Sequence, residues 1–235
     1  MVPSFQFLGI AASIICIRAT SAIPPITSGN HRPTSHPLDS FLDHLDVGQV
    51  KWIGRAVPDG PIVNVTGRTF AAIEMGLKAL HPGFTWETAP PTPPELIMAV
   101  NYTHSHMIHP PRFQKITEPK IECLDHSWAT CASVKAIEEG ARYLETKVKG
   151  MCGNAPHRCG RISCSYNSAI TWCNDGDEEY IKPCRDFAQP VRQIVEACKQ
   201  LRWKSNKVRE WYVTGTYYHP DGFHIDVGKP RSGGC

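Results

Sequence analysis

Nine of the ten cysteines fall between Cys123 and Cys235, and this crowding constrains the fold more than any other feature of the chain. Thiols at such density persist as disulfides in an oxidising compartment. The N-terminus agrees with that setting. Met1 to Ala22 holds an apolar run from Phe5 to Ile17 and ends in Thr20-Ser21-Ala22, a small-residue cleavage pattern. The run is shorter than the ~20 apolar residues that span a bilayer, and Pro24-Pro25 blocks its extension. Residues 1–22 therefore read as a signal peptide, and the mature chain as secreted and extracellular. Removing Cys16 with the signal leaves an odd set of nine cysteines, which offers a route to a covalent dimer.

Spacing decides between metal and disulfide. No C-x-x-C occurs, so paired zinc knuckles and a thioredoxin-type motif are both missing. The expected disulfide residues are Cys123, Cys131, Cys152, Cys159, Cys164, Cys173, Cys184, Cys198 and Cys235. Connectivity and the identity of the odd member stay open. Cys131 and Cys198 sit on apolar helix stripes and Cys164 on a strand face, which suggests bridges from helices to sheet. Cys235 is placed to pin the tail or to pair between molecules.

The chain divides by composition. Residues 23–37 are Pro, Ser, Thr, Gly and His with almost no apolar content, so a flexible segment is expected. Residues 38–88 read as a small cysteine-free subdomain or pro-segment. It has helical spacing at Leu38, Phe41, Leu42 and Leu45, strands at Val50–Ile53 and Ile62–Val65, and a helix on Phe70, Ile73, Leu77 and Leu80, capped by Thr66. Residues 89–118 begin with Ala89-Pro90-Pro91-Thr92-Pro93-Pro94 and read as a stiff Pro/His-rich linker, because proline lacks an amide donor and restricts its neighbours.

Residues 119–235 form the cysteine-rich unit and are expected to fold alone. A helix from Ser127 to Val148 and another from Arg185 to Leu201, with Pro190 in its first turn, alternate with strand pairs 161–166/169–173 and 208–214/223–227. The order helix, two strands, helix, two strands predicts an α+β fold: a disulfide-stapled antiparallel sheet with two helices on one face, preceded by the small N-terminal α/β segment and the Pro-rich linker.

Charge excludes one function class. With Arg18 lost, the basic count falls from 25 to within a few charges of the 22 acidic residues, so no nucleic-acid partner is expected. Asn64-Val65-Thr66 and Asn101-Tyr102-Thr103 are glycosylation sequons, usable in a secreted chain. His104, His106 and His109 have metal-ligand flavour, but no Cys, Asp or Glu stands beside them, so a histidine-rich surface linker is the plainer reading. His219 and His224 near Asp221 and Asp226 read as a polar hairpin turn. The acidic turn Asp175, Asp177, Glu178 and Glu179 lacks EF-hand spacing.

No nucleophile elbow, phosphate loop or H-E-x-x-H helix is present, so no catalytic residue, metal or cofactor is assigned. The one local basic patch is Lys199, Arg202, Lys204, Lys207 and Arg209, with Trp203 between. Lys199, Arg202, Trp203, Lys204 and Lys207 are the candidate partner-binding residues, weighed against a solvated helix end or a Trp203 packed as core.

The stretch from Cys159-Gly160-Arg161-Ile162-Ser163-Cys164-Ser165-Tyr166-Asn167-Ser168-Ala169-Ile170 to Cys173-Asn174-Asp175, followed by a helix ending at Cys198, resembles small secreted cysteine-rich proteins of filamentous fungi. The likeness covers mainly Cys123 to Val227. It implies a candidate effector with no established enzymatic activity. By topology alone the order of cysteines, strands and helices also looks like killer-toxin-type α/β sandwiches. The expectation is a secreted interaction protein that binds a host or competitor protein, glycan or membrane component. The alternative is a secreted hydrolase or metal-binding protein with an unrecognised site.

Overall fold

A computed structural model of the chain describes residues 47–99, 117–124, 130–205, 208–230 and 235. The expected signal peptide, the 23–37 segment, the helix on Leu38–Leu45, Asn101, the His104–His109 cluster and Lys207 lie outside these residues.

The N-terminal strands are β1 (Val47–Gly48), β2 (Val50–Arg55) and β3 (Ile62–Gly67). Val50, Trp52 and Gly54 alternate inward along β2, the period-2 pattern of a half-buried strand. Helix α1 (Phe70–Leu80) buries Phe70, Ile73 and Leu77. Its cap is Thr69, whose hydroxyl accepts from the Ala72 amide, and not Thr66, which is the exposed penultimate residue of β3. A short helix α2 at residues 94–99 starts at Pro94, where the missing amide is harmless.

The C-terminal half supplies β4 (Lys120–Cys123), β5 (Ala132–Ser133), α3 (Val134–Thr146), β6 (Met151–Asn154), β7 (Arg158–Ser165), β8 (Ser168–Asn174) and β9 (Tyr180–Pro183). A 3-10 turn (Cys184–Phe187) leads into α4 (Ala188–Cys198), followed by β10 (Gln200–Ser205), β11 (Val208–Val213), β12 (Gly215–His219) and β13 (Phe223–Gly228). Pro190 lies in the first turn of α4. The β7–β8 hairpin turns at Tyr166 and Asn167, both with positive φ, one residue before the expected Asn167-Ser168, because Ser168 already opens β8. The mixed fold with dominant, largely antiparallel sheets accords with the α+β reading.

Three expectations change. First, among the described residues the strands lie in three sheets: a six-stranded sheet in the order β1-β7-β8-β13-β12-β4, a three-stranded sheet β10-β11-β5 and a four-stranded sheet β3-β2-β6-β9. The β1–β7 pairing is parallel. Second, α3 begins at Val134 because Ala132 and Ser133 pair with Val213 and Tyr212, and α4 ends at Cys198, so Leu201 belongs to a strand. The strand expected over 208–214 is β11, and an unexpected strand, β12, follows it before the turn at Pro220-Asp221-Gly222; the two enter different sheets across Thr214.

Third, the boundary expected at 89–118 does not divide the core. β2 pairs with both β3 and β6, so cysteine-free and cysteine-bearing halves share one sheet. Trp52 is fully buried in the same apolar cluster as Trp172, Phe187 and Ile225. Its indole donates to the Lys149 carbonyl and meets Phe84 and Trp86 edge-on. The Pro-rich segment is also attached: Ala89 and Pro93 are buried, and the Gly150 amide donates to Thr92 Oγ1 at 2.9 Å. A unit starting at 119 would lose β2 from the middle of this sheet, which argues against its folding alone.

Four disulfides tie the elements: Cys123–Cys198, Cys152–Cys184, Cys159–Cys173 and Cys164–Cys235. Cys235 pins the tail to β7. The odd residue is Cys131, buried just before β5 and outside the four bridges. Of the two roles the sequence allowed Cys235, pinning the tail or pairing between molecules, the structure shows the first. Among the described residues no helix is long and apolar enough to cross a membrane.

Candidate interaction surface

The basic patch becomes a β-hairpin. The Cys123–Cys198 bridge anchors the end of α4 to edge strand β4, and Lys199 then turns the chain into extended geometry (ψ 139°). β10 pairs with β11 in the register Gln200↔Tyr212, Leu201↔Trp211, Arg202↔Glu210 and Trp203↔Arg209. On its other side β11 meets the two-residue β5, at Tyr212 and Val213 alone. Among the described residues, no third strand pairs with the outer part of the hairpin.

Cross-strand partners share a face, so Leu201, Trp203, Arg209 and Trp211 stand together. Three of them are large apolar side chains at 44%, 53% and 48% exposure for Leu201, Trp203 and Trp211. Val208, by alternation along β11, is carried on the opposite face and is 47% exposed. Four of the nine large exposed hydrophobics among the described residues thus sit on this one hairpin, a local excess that singles it out from scattered surface apolars. Trp203 is not core.

Cations accompany the indoles. The Arg209 guanidinium lies 4.3 Å from the Trp203 ring centroid, and Lys199 Nζ lies 6.0 Å from that of Trp211. On the other face Lys204 donates to Glu210 Oε1 at 2.7 Å. That hydrogen bond holds Lys204 above the ordinary lysine range and Glu210 below the ordinary carboxylate range. An isolated two-stranded hairpin is marginal in water; the Arg209–Trp203 stack and the Lys204–Glu210 pair are cross-strand contacts that help keep this one in register. Trp211 was not among the residues expected to bind a partner, although the i, i+2 pattern Leu201/Trp203 and Arg209/Trp211 around Ser205-Asn206 was its available signal.

A second polar cluster lies on the six-stranded sheet. His224 on β13 pairs with Cys173 and Tyr218 in register, and Asp226 pairs with Thr171 and Thr216. His224 Nδ1 is 2.8 Å from both Asp175 carboxylate oxygens, and its Nε2 is 3.7 Å from Asp226 Oδ2. Burial pulls the His224 pKa down, but the hydrogen bond to Asp175 and the charges of Asp226 and Asp175 more than offset it, for a net rise. Thr216 donates to Asp226 Oδ1 at 2.5 Å. Burial and the neighbouring carboxylates push Tyr218 up to about 12. The loop carrying Asp175 is fixed by buried Asn174, whose Nδ2 donates to the carbonyls of Asn154, Ala155 and Glu178.

The acidic turn is engaged by basic side chains: Asp175 by His224, Asp177 by His157 and Glu179 by Lys51. Among the described residues Cys159, Cys173 and His224 have metal-ligand spacing; bonded to each other, the two cysteines leave one strong donor, too few for a zinc site. A cavity of about 160 Å³ lies elsewhere, lined by Pro91, Thr92, Ile97, Glu145, Val148 and Arg185 among others. Asn64 is exposed on edge strand β3, with Thr66 of its sequon on the same face.

No family model matches the chain, and neither a curated protein nor a solved structure matches it.

Proposed function

We propose that this chain is a secreted, disulfide-stapled interaction protein of the effector or toxin-like kind that fungi release, acting by binding a host or competitor component through the β10–β11 hairpin. One observation carries the reading: Leu201, Trp203 and Trp211 stand exposed on one face of the hairpin, with the Arg209 guanidinium stacked on Trp203. Trp and Arg are the residue types that dominate binding hot spots, and burying each indole in an interface recovers apolar area that folding leaves in water. The likeness of residues 159–175 to fungal small secreted cysteine-rich proteins supports the compartment and the class. The alternative, a secreted hydrolase or metal-binding protein, would centre on His224 between Asp175 and Asp226.

The test applies the oxidised protein to plant tissue and to competing microbial cells, scoring cell death and growth arrest against dose. The double substitution Trp203→Ser with Trp211→Ser is expected to raise the effective dose at least tenfold while the four disulfides still form. Equal potency of the variant would refute the hairpin as the acting surface.

A further inference from the structure

We infer that reducing the Cys159–Cys173 bridge converts it into a zinc site, with the two thiolates and His224 as ligands and Asp226 beside the fourth position. The site lies on the six-stranded sheet and does not depend on the hairpin. The first reason is placement. Cys159 faces Cys173 across β7 and β8, and Cys173 faces His224 across β8 and β13. Directly opposed residues share a face of the sheet, so both sulfurs and the imidazole lie on one side. A ring nitrogen of His224 and the two sulfurs stand within 4.8 Å of one another. Tetrahedral zinc holds such donors roughly 3.6–3.8 Å apart, so the sulfurs have only to part on reduction. Among the described residues no other bridge has a third His, Cys, Asp or Glu at this range.

The second reason is the shell around the histidine. Both Asp175 carboxylate oxygens lie 2.8 Å from His224 Nδ1, the pairing that orients a ligating imidazole and raises its basicity. Nε2 is left for the metal. Asp226 Oδ2 stands 3.7 Å from Nε2, near the ~3.4 Å that nitrogen and oxygen donors keep on one tetrahedral zinc. The Thr216 hydroxyl holds the other Asp226 oxygen.

The third reason is charge and access. Cys159, Cys173 and His224 are buried, where an uncompensated ion is costly. Two thiolates and a neutral imidazole cancel the double positive charge of zinc. The Asp226 side chain, 30% exposed, gives the ion a way in. Zinc bridging the two sulfurs recloses the loop, of separation 14, that reduction opens, so β7 and β8 stay linked where a disulfide does not last.

The experiment reduces the full oxidised chain with a water-soluble trialkylphosphine. The sulfur–sulfur bond breaks as phosphorus takes oxygen from water to become phosphine oxide, and the protons of that water go to the sulfurs. Zinc then displaces both thiol protons to solvent. Compared with no metal, zinc should slow iodoacetamide alkylation of Cys159 and Cys173 and of no other cysteine, as mapped by peptide mass, and a chelator should reverse this. Cobalt in place of zinc should give thiolate charge-transfer absorption in the reduced chain alone. Asp175→Asn should weaken zinc binding roughly 10- to 100-fold, and His224→Gln should weaken it further. The alkylation map and the cobalt spectrum need no variant, so a substitution that fails to fold leaves the test intact.

No zinc-dependent protection, protection centred on other cysteines, equal cobalt binding by the oxidised chain, or unchanged affinity in both variants would overturn the site. Each of these outcomes leaves the potency of the tryptophan variant on cells, and with it the reading of the hairpin, to be decided separately.

Discussion

Removing the Cys123–Cys198 bridge by Cys123→Ala with Cys198→Ala tests how the fold is held and how the hairpin is anchored. The cysteines are 75 residues apart, but Cys152–Cys184 lies inside that span and short-circuits it. The loop that the bridge closes is then the sum of the outer arms, on the order of 45 residues, for which the chain-entropy relation gives about 4 kcal/mol. Cys159–Cys173 closes a loop with a separation of 14, worth about 3 kcal/mol by the same relation. Each double substitution deletes the same two sulfur atoms from a site between adjacent elements, so the packing cost is similar and the ordering follows from loop length. Denaturant unfolding of the two double variants, compared at equal slope, measures the difference. Because Cys198 is the last residue of α4 and Lys199 opens the hairpin, only the Cys123–Cys198 variant should also lose protection of the β10–β11 amides. A Cys159–Cys173 deletion that costs as much as or more than the Cys123–Cys198 deletion would refute the entropic account.

Three further outcomes are expected. His224 has a raised pKa in the folded protein, so the native state binds more protons than the unfolded one and stability must fall as pH rises from about 6.5 through the folded value; Asp175→Asn should flatten that slope in unfolding curves taken across the range. Gly150→Ala should destabilise by roughly 3 kcal/mol by calorimetry, since φ is +94° and a Cβ would stand 2.6 Å from the Trp52 indole nitrogen and 2.7 Å from the Ile53 carbonyl. Asn64, exposed on edge strand β3, should carry an N-glycan in protein recovered from a secreting host; a glycosidase that leaves the mass of the 62–67 peptide unchanged would rule it out.

Much of the local structure was legible in the chain itself. Phe70, Ile73 and Leu77 at helical spacing, a tight turn at Asn167 between alternating strands and Pro190 in a first turn all follow from backbone sterics and a single buried face, which are local properties. The cysteine density likewise announced disulfides without their pairing. What a sequence could not contain is which faces meet. Ala132 and Ser133 look like helix until Tyr212 and Val213 pair with them, and β9 is a strand because β6 lies beside it. The apparent linker is no division because Trp52, in the cysteine-free half, fills the space against Lys149 and Gly150.

The odd cysteine shows the same limit: Cys131 and Cys235 differ in role because one is buried before β5 and the other reaches Cys164 on β7. Trp203 could be read as core or as contact from its neighbours in the chain; the tertiary structure puts it on an outward face of β10, beyond the two residues of β11 that pair with β5. Burial is a long-range quantity, set by elements distant in sequence, whereas propensity and periodicity are set within a turn or two.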